Sequence, residues 1–281
     1  MTLTWPVAAA VLAGALLHAS WNALVKSSQD KALDTAVIHT IGSLIGLPLL
    51  LVIGLPERAA WPFIAASLVI HIGYYTALAG AYKHGDLGLT YPIMRGTAPL
   101  LVALSAGLVF GETLSPLAWA GVLGVSGGVL ALGLSRHAME SPRAVGFALA
   151  NALVIALYTI VDGLGVRASG NALQYVVALF ALDGWPFALM VFLRRGGPVV
   201  WPYARKRWPV ALLAAAASVG SYGIALWAMT RAPVATVAAL RETSVLFAAL
   251  LGSWFLKEAF TLRRALGTAT IVAGVMALRI G

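Results

Sequence analysis

Apolar residues run along this chain in long unbroken stretches instead of alternating with polar ones. Ten stretches reach about the 20 residues that a helix needs to cross a bilayer. They lie at roughly 5–25, 33–54, 61–82, 89–110, 116–135, 144–166, 173–193, 208–230, 234–256 and 262–280. The connections are short and carry turn or breaker residues, as in Leu55-Pro56-Glu57-Arg58, Gly85-Asp86 and Arg231-Ala232-Pro233. One connection is longer, Arg194 to Arg207, with two prolines and five basic residues. The pattern predicts an all-α integral membrane protein of ten transmembrane helices, with no room for a soluble domain.

Composition agrees. Of 281 residues, 60% are hydrophobic and 10% charged, and the mean hydropathy is +0.90. A water-soluble fold of this size could not hide that much apolar surface, so the solvent is lipid. There is no cysteine, which excludes disulfides, thiolate catalysis and cysteine-bound metals. The net charge of +9 does not signal nucleic acid, because the basic residues sit in short loops where membrane orientation accounts for them. The first apolar run lacks the positive leader of a signal peptide and reads as a permanent span.

Counting those basic residues orients the chain. Thirteen lie on the side of loops 1–2, 3–4, 5–6, 7–8 and 9–10: Lys26, Lys31, Lys83, Arg136, Arg143, Arg194, Arg195, Arg205, Lys206, Arg207, Lys257, Arg263 and Arg264. The other side has four, Arg58, Arg167, Arg231 and Arg279. The excess predicts those loops in the cytoplasm and both termini outside.

The chain also repeats itself. Arg95-Gly96-Thr97, Gly111-Glu112, Gly121 and Gly128-Val129-Leu130-Ala131-Leu132 return 146 residues later as Arg241-Glu242-Thr243, Lys257-Glu258, Gly267 and Gly274-Val275-Met276-Ala277-Leu278. Two repeats follow, 1–137 with helices 1–5 and 143–281 with helices 6–10. The earlier helices fit more loosely, Trp21 falling near Tyr158. An odd number of spans per copy inverts the second copy relative to the first, and inverted repeats place a solute site near midplane around a central cavity.

Polar side chains at helical spacing mark where such a site could lie. Helix 1 sets His18, Trp21, Asn22 and Val25 on one face, and helix 3 sets His71, Tyr74, Tyr75, Leu78 and Tyr82. Helix 8 offers Ser218, Ser221, Tyr222 and Ala225, with Trp227 either in the cavity or at the lipid. Helix 6 offers Asn151, Tyr158 and Asp162, and helix 4 places Tyr91 one turn before Arg95. Two readings stay open for these faces: lining a cavity, or hydrogen bonds between helices worth about 0.6 kcal/mol each.

Ionisable side chains inside spans are costly, by about 2.5–3.5 kcal/mol on insertion scales, and are functional candidates by default. They are Arg95, Asp162, Asp183, Arg241 and Glu242. Arg95 and Arg241 occupy equivalent repeat positions and either hold an anionic group such as a carboxylate, form alternate gates, or snorkel to their nearer interfaces; Ser244 is a further candidate binding residue. Glu242 is the carboxylate next to Arg241, although sequence neighbours on a helix point about 100° apart. Asp162 and Glu242 are the candidates for proton coupling. Asp183 reads as a structural partner or an interfacial group. Breaks at Pro92, Gly96 and Pro99 would let helix 4 bend.

Helices 5 and 10 carry small residues in register, Gly121 with Gly128 and Gly267 with Gly274, which lets backbones approach as scaffold or as a homodimer contact. Gly124-Val125-Ser126-Gly127-Gly128 matches GxSxG formally, but no strand precedes it. No metal-spaced histidine cluster or phosphate loop occurs, so the expectation is no metal, no cofactor and no enzyme chemistry.

The chain resembles the EamA family of the drug/metabolite transporter superfamily. The resemblance rests on Arg241-Glu242-Thr243-Ser244-Val245-Leu246-Phe247-Ala248-Ala249-Leu250-Leu251-Gly252, Leu256-Lys257-Glu258, Leu266-Gly267 and Ala273-Gly274-Val275, with Ala98-Pro99-Leu100 through Phe110-Gly111-Glu112 to Gly121 in the first half. It implies ten helices, an inverted repeat and a cavity lined by helices 1, 3, 4, 6, 8 and 9. The aromatic faces look most like the YddG-type exporters of aromatic and neutral amino acids. The expected function is alternating-access export of such a small solute across a bacterial-type cytoplasmic membrane, with protons as possible partners. The alternatives are export of drugs or other small organic solutes, or a non-transporting membrane subunit.

Overall fold

The computed structural model describes residues 2–26, 28–85, 87–133, 141–256 and 261–281. Asp86, Arg136, Lys257 and Glu258, all used above, lie outside them. Eleven α-helices are present among the described residues, and no strand. They are α1 (Trp5–Lys26), α2 (Lys31–Ile53), α3 (Trp61–His84), α4 (Leu87–Phe110), α5 (Pro116–Gly133), α6 (Pro142–Ala168), α7 (Ala172–Arg195), α8 (Gly197–Met229), α9 (Val234–Arg241), α10 (Thr243–Leu256) and α11 (Leu262–Ile280). Seven, α1–α4 and α6–α8, are long and apolar enough to cross a membrane, with mean hydropathies of 1.5 to 2.2. α5 and α11 are shorter apolar helices.

Helix starts follow local chemistry. Asp30 accepts hydrogen bonds from the Ala32 and Leu33 amides at the head of α2, and Asn171 accepts from Leu173 at the head of α7. The long basic connection forms no loop. Gly196 turns the chain at φ +77, and α8 then runs through residues 197–207 because Pro198 sits in its first turn, where a missing N–H costs nothing.

Two further differences concern the repeated segment. α4 continues through Pro92 and Pro99 without a break. Its counterpart near residue 240 divides instead at Glu242, where the ladder tightens: Glu242 N donates to Ala239 O and Val245 N to Glu242 O. A local step to three-residue spacing inside a helix marks a hinge more often than a defect.

Packing follows a crossed pattern. α2 lies on α7, α4 on α9 and α5 on α11; α1 packs on α8 as α6 packs on α3. The pattern is uneven between two of the pairs: α8 lies closely along α2, whereas α7 touches α3 far less. The tightest contact is α5 on α11. A Cβ at Gly121 would stand 2.8 Å from the Gly274 carbonyl, and one at Gly128 2.8 Å from that of Gly267. Residue 121 therefore meets 274 while 128 meets 267, so the two helices run antiparallel.

Ion pairs tie each end. On one side Arg207 binds Asp34 through two hydrogen bonds of 2.9 and 3.0 Å, joined by the Tyr203 hydroxyl. On the other, Arg167 donates to Glu112 at 2.7 Å and to the Met229 carbonyl, while Glu112 accepts from the Val234 amide and so caps α9.

Candidate functional site

Arg95 and Arg241 both stay inside the bundle, 6% and 9% exposed, and neither snorkels to an interface. Their partners are not those suggested by sequence adjacency. Glu242 pairs with Arg95 across the α4–α9 contact, Nε to Oε2 at 2.8 Å. The approach is off the N–H direction, so the contact is an ion pair more than an aligned hydrogen bond. Arg241 turns to α8 and lies over the Tyr222 ring, 5.0 Å from its centroid. The helical twist separates the two neighbours, as the spacing requires.

Around this pair Arg95 meets further polar side chains. Arg95 Nη2 reaches Ser244 Oγ at 3.4 Å and His18 Nε2 at 3.5 Å. The other nitrogen of His18 faces the Trp21 indole N–H at 3.4 Å. Both imidazole nitrogens thus meet donors, although a neutral imidazole accepts at only one. Arg241 has no carboxylate within 4 Å among the described residues. Of these two guanidiniums, that of Arg95 alone pairs with a carboxylate among the described residues.

Asp162 belongs to a second arrangement. Its two oxygens accept from the phenols of Tyr175, at 2.8 Å, and Tyr222, at 2.5 Å. Tyr175 reaches it because Gly165 leaves room: a Cβ there would collide with the phenol oxygen. Tyr222 therefore joins the two arrangements, its hydroxyl on Asp162 and its face under Arg241.

Aromatic rings extend the site along α3. His71 stacks on Tyr158 at 4.8 Å, Tyr74 meets Tyr75 and Tyr158 edge-on, and Tyr75 stacks on Phe187 at 4.6 Å. Tyr91 packs between the α3–α6 core and Val129 with Val245. Asn151 is fully buried with its amide on the Met94 sulfur. The Asn22 amide donates to the His18 carbonyl of its own helix, and Ser218 stands half-buried on α8.

Two candidates lie elsewhere. Tyr82 is 41% exposed, half a turn from the end of α3. Trp227 lines a cleft at the opposite end with Thr4, Pro6, Val7, Thr230 and Arg231, and Arg231 covers its ring. The helical stripe of each runs past the depth of the charged pair.

Asp183 is neither interfacial nor paired with a cation of fixed charge. It sits halfway along α7 between His39 of α2 and His71 of α3. His39, Phe187, Phe180 and Tyr175 were not selected from the sequence. A histidine inside an apolar stretch was a usable signal for His39; the others look like ordinary core aromatics.

Helical, multi-pass and apolar over membrane lengths, the molecule is an integral membrane protein. Residues 142–280 match the EamA-like transporter family. A chain of known crystal structure superposes with a TM-score of 0.76, covering 98% of this chain and 95% of that one at 21% identity. That likeness concerns the fold and extends it over both halves.

Proposed function

We propose that the whole chain is a secondary transporter of the EamA type that exports carboxylate-bearing small metabolites, most simply aromatic and neutral amino acids, by alternating access. Its ten spans would be the seven long helices, α5, α11 and the α9–α10 pair, in inverted repeats of residues 1–137 and 143–281. The crossed packing of α1 on α8 and α6 on α3, with the antiparallel α5–α11 contact, supports that arrangement. Both termini would lie outside a bacterial-type cytoplasmic membrane, and a reporter fused at Gly281 and active only in the cytoplasm overturns this.

The observation that carries the substrate class is that Arg241 is buried over the Tyr222 ring with no carboxylate within 4 Å among the described residues. A buried guanidinium without an acceptor lowers its free energy by taking one. A carboxylate fits Arg241 on its Tyr222 platform, and the second Glu242 oxygen is available to an ammonium group. The rings of Tyr74, Tyr75 and Tyr158 offer an apolar wall for a flat side chain.

Exchange of radiolabelled phenylalanine in proteoliposomes tests this, with phenethylamine as the comparison lacking the carboxylate. A charge-assisted bond is worth about 1.5–3 kcal/mol, so phenylalanine should be preferred by about 10- to 100-fold. Arg241→Gln should remove the preference. Equal movement of both compounds overturns the assignment.

A further inference from the structure

We propose that Asp183, His39 and His71 form the proton-binding site of the transport cycle, the one that couples solute movement to a proton gradient. The inference rests on the transporter reading above and gives it a driving ion and an address.

Three helices build the site. His39 Nδ1 on α2 lies 3.8 Å from Asp183 Oδ2, and His71 Nδ1 on α3 lies 3.6 Å from Oδ1. α2 comes this close because α7 has Gly184 next to the acid: a Cβ there would run into the His39 carbonyl. Asp183 is the middle residue of α7, about 17 Å from either end at 1.5 Å per residue. That is the centre of a hydrocarbon core about 30 Å thick.

Asp183 is 8% exposed, and among the described residues its carboxylate receives no hydrogen bond of normal length. His71 Nδ1 stands 2.9 Å from the Ser67 carbonyl. A carbonyl can only accept, so the ring proton sits on Nδ1 and is committed to the backbone. Among the described residues Asp183 keeps two nearby bases and no arginine or lysine. An ion left this way in the membrane takes up a proton or a cation. One proton on the three groups makes them neutral together; none leaves a negative charge at midplane.

The other buried charges lead to the same count. Apart from Asp34, which Arg207 neutralises, the buried charges among the described residues are Asp162, Asp183 and Glu242 against Arg95 and Arg241, three negative against two positive. Glu242 is held by Arg95 and Asp162 by two phenols. A single proton on the Asp183 cluster brings the set to zero. This moves proton coupling away from Asp162 and Glu242, the acids singled out by the sequence.

The groups facing the cluster provide a route to the solute site. From α3 come Ser67, His71 and Tyr75; from α6, Tyr158 and Asp162; from α8, Tyr222; from α2, His39 and Ser43, whose hydroxyl accepts from the Gly184 amide. Ser67 lies 3.3 Å from His71 Nδ1 and also faces Asp162, whose partner Tyr222 supports Arg241. Loading a proton changes the charge facing His71, which is stacked on Tyr158 in the wall of that site. Water delivers the proton and takes it back, and nothing is oxidised. The cluster stays accessible, with side-chain exposures of 11–15%.

The test uses the full chain and Asp183→Asn, which keeps the shape and removes the acid. In proteoliposomes with equal pH on both sides, phenylalanine exchange should stay within twofold of wild type. Accumulation driven by a pH gradient should fall to that of protein-free liposomes. In purified protein without solute, the pH-difference infrared spectrum should contain a carboxyl C=O band that Asp183→Asn removes and that His39→Gln or His71→Gln shifts along the pH axis. Gradient-driven accumulation in Asp183→Asn, or a C=O band unchanged by all three substitutions, overturns the proposal. If wild type exchanges no amino acid, the transporter reading fails, and the infrared result still decides whether this cluster binds the proton. If Asp183→Asn does not fold, the two histidine variants carry the same spectroscopic test.

Discussion

The α5–α11 contact and the Arg95–Glu242 cluster are both built on residues that recur 146 positions apart in the sequence, and they use the recurrence in opposite ways. In the first, both copies do the same thing: Gly121 meets Gly274 and Gly128 meets Gly267, each lying where a Cβ would press on the other backbone. In the second, equivalent residues have parted. Arg95 has an acidic partner and Arg241 has an aromatic ring. Gly96 packs against Leu130 and the Ser126 carbonyl of α5, whereas its counterpart Glu242 supplies the cluster's carboxylate. Backbone packing tolerates symmetry because a helix surface needs only the right shape. An asymmetric solute needs donors on one side and an acceptor on the other, so symmetry is lost where it would bind.

The largest effect that separates these regions comes from halving the buried ion pair. Arg95→Met leaves Glu242 buried without its cation, a loss of about 3–5 kcal/mol, while replacing both partners with apolar residues is often neutral. Thermal melting in detergent should therefore show Arg95→Met strongly destabilised and Arg95→Met with Glu242→Met restored, the double variant folded but inactive in phenylalanine exchange. A double variant no more stable than the single one shows that the pair does not act as a unit.

Breaking the contact between α5 and α11 should be milder and differ in kind. Gly274→Val places a side chain where a Cβ alone would stand 2.6 Å from the Val125 amide, and overpacking of this sort costs about 1–3 kcal/mol. Melting should fall accordingly, and the molecules that fold should still prefer phenylalanine over phenethylamine. A change in that preference would mean that the contact shapes the solute site.

A third comparison sets α2–α8 against α3–α7, two equivalent contacts of unequal closeness. Arg207→Gln takes the guanidinium from Asp34, which is 1% exposed, and leaves a buried acceptor short of donors at a cost of about 1–3 kcal/mol. The chain has no cysteine, so a single Ser218→Cys reports accessibility cleanly. Its labelling by a membrane-impermeant thiol reagent from the Arg207 side should rise several-fold in Arg207→Gln. An unchanged rate would show that this ion pair does not close that face.

The membrane class was readable because a span leaves a one-dimensional trace: enough apolar residues in a row, whatever they touch. The glycine spacing was readable for a similar reason, since seven residues return to one face of a helix. Which polar groups meet was not. Glu242 is beside Arg241 in sequence, and its partner is 147 positions away in Arg95. His39, His71 and Asp183 come from three helices, and no spacing within one helix relates them. The break at Glu242 in place of the proline-marked one in α4 belongs with these, because it follows from what the backbone packs against.

The smallest expected effect comes from Trp227, which shares a helix with Tyr222 but not its surroundings. Five residues carry it from the face under Arg241 to the cleft at the end of α8, where Arg231 covers its ring at 5.2 Å. Trp227→Phe keeps most of the packing and weakens a cation–π contact worth about 0.5–1 kcal/mol at an exposed site. Phenylalanine exchange should stay within twofold of wild type and melting should shift only slightly, whereas Tyr222→Phe, which takes a donor from Asp162, should impair exchange. Were Trp227→Phe the more damaging of the two, the solute path would have to run along the cleft at the end of α8, and the symmetry-broken centre would be a passage and not the site of recognition.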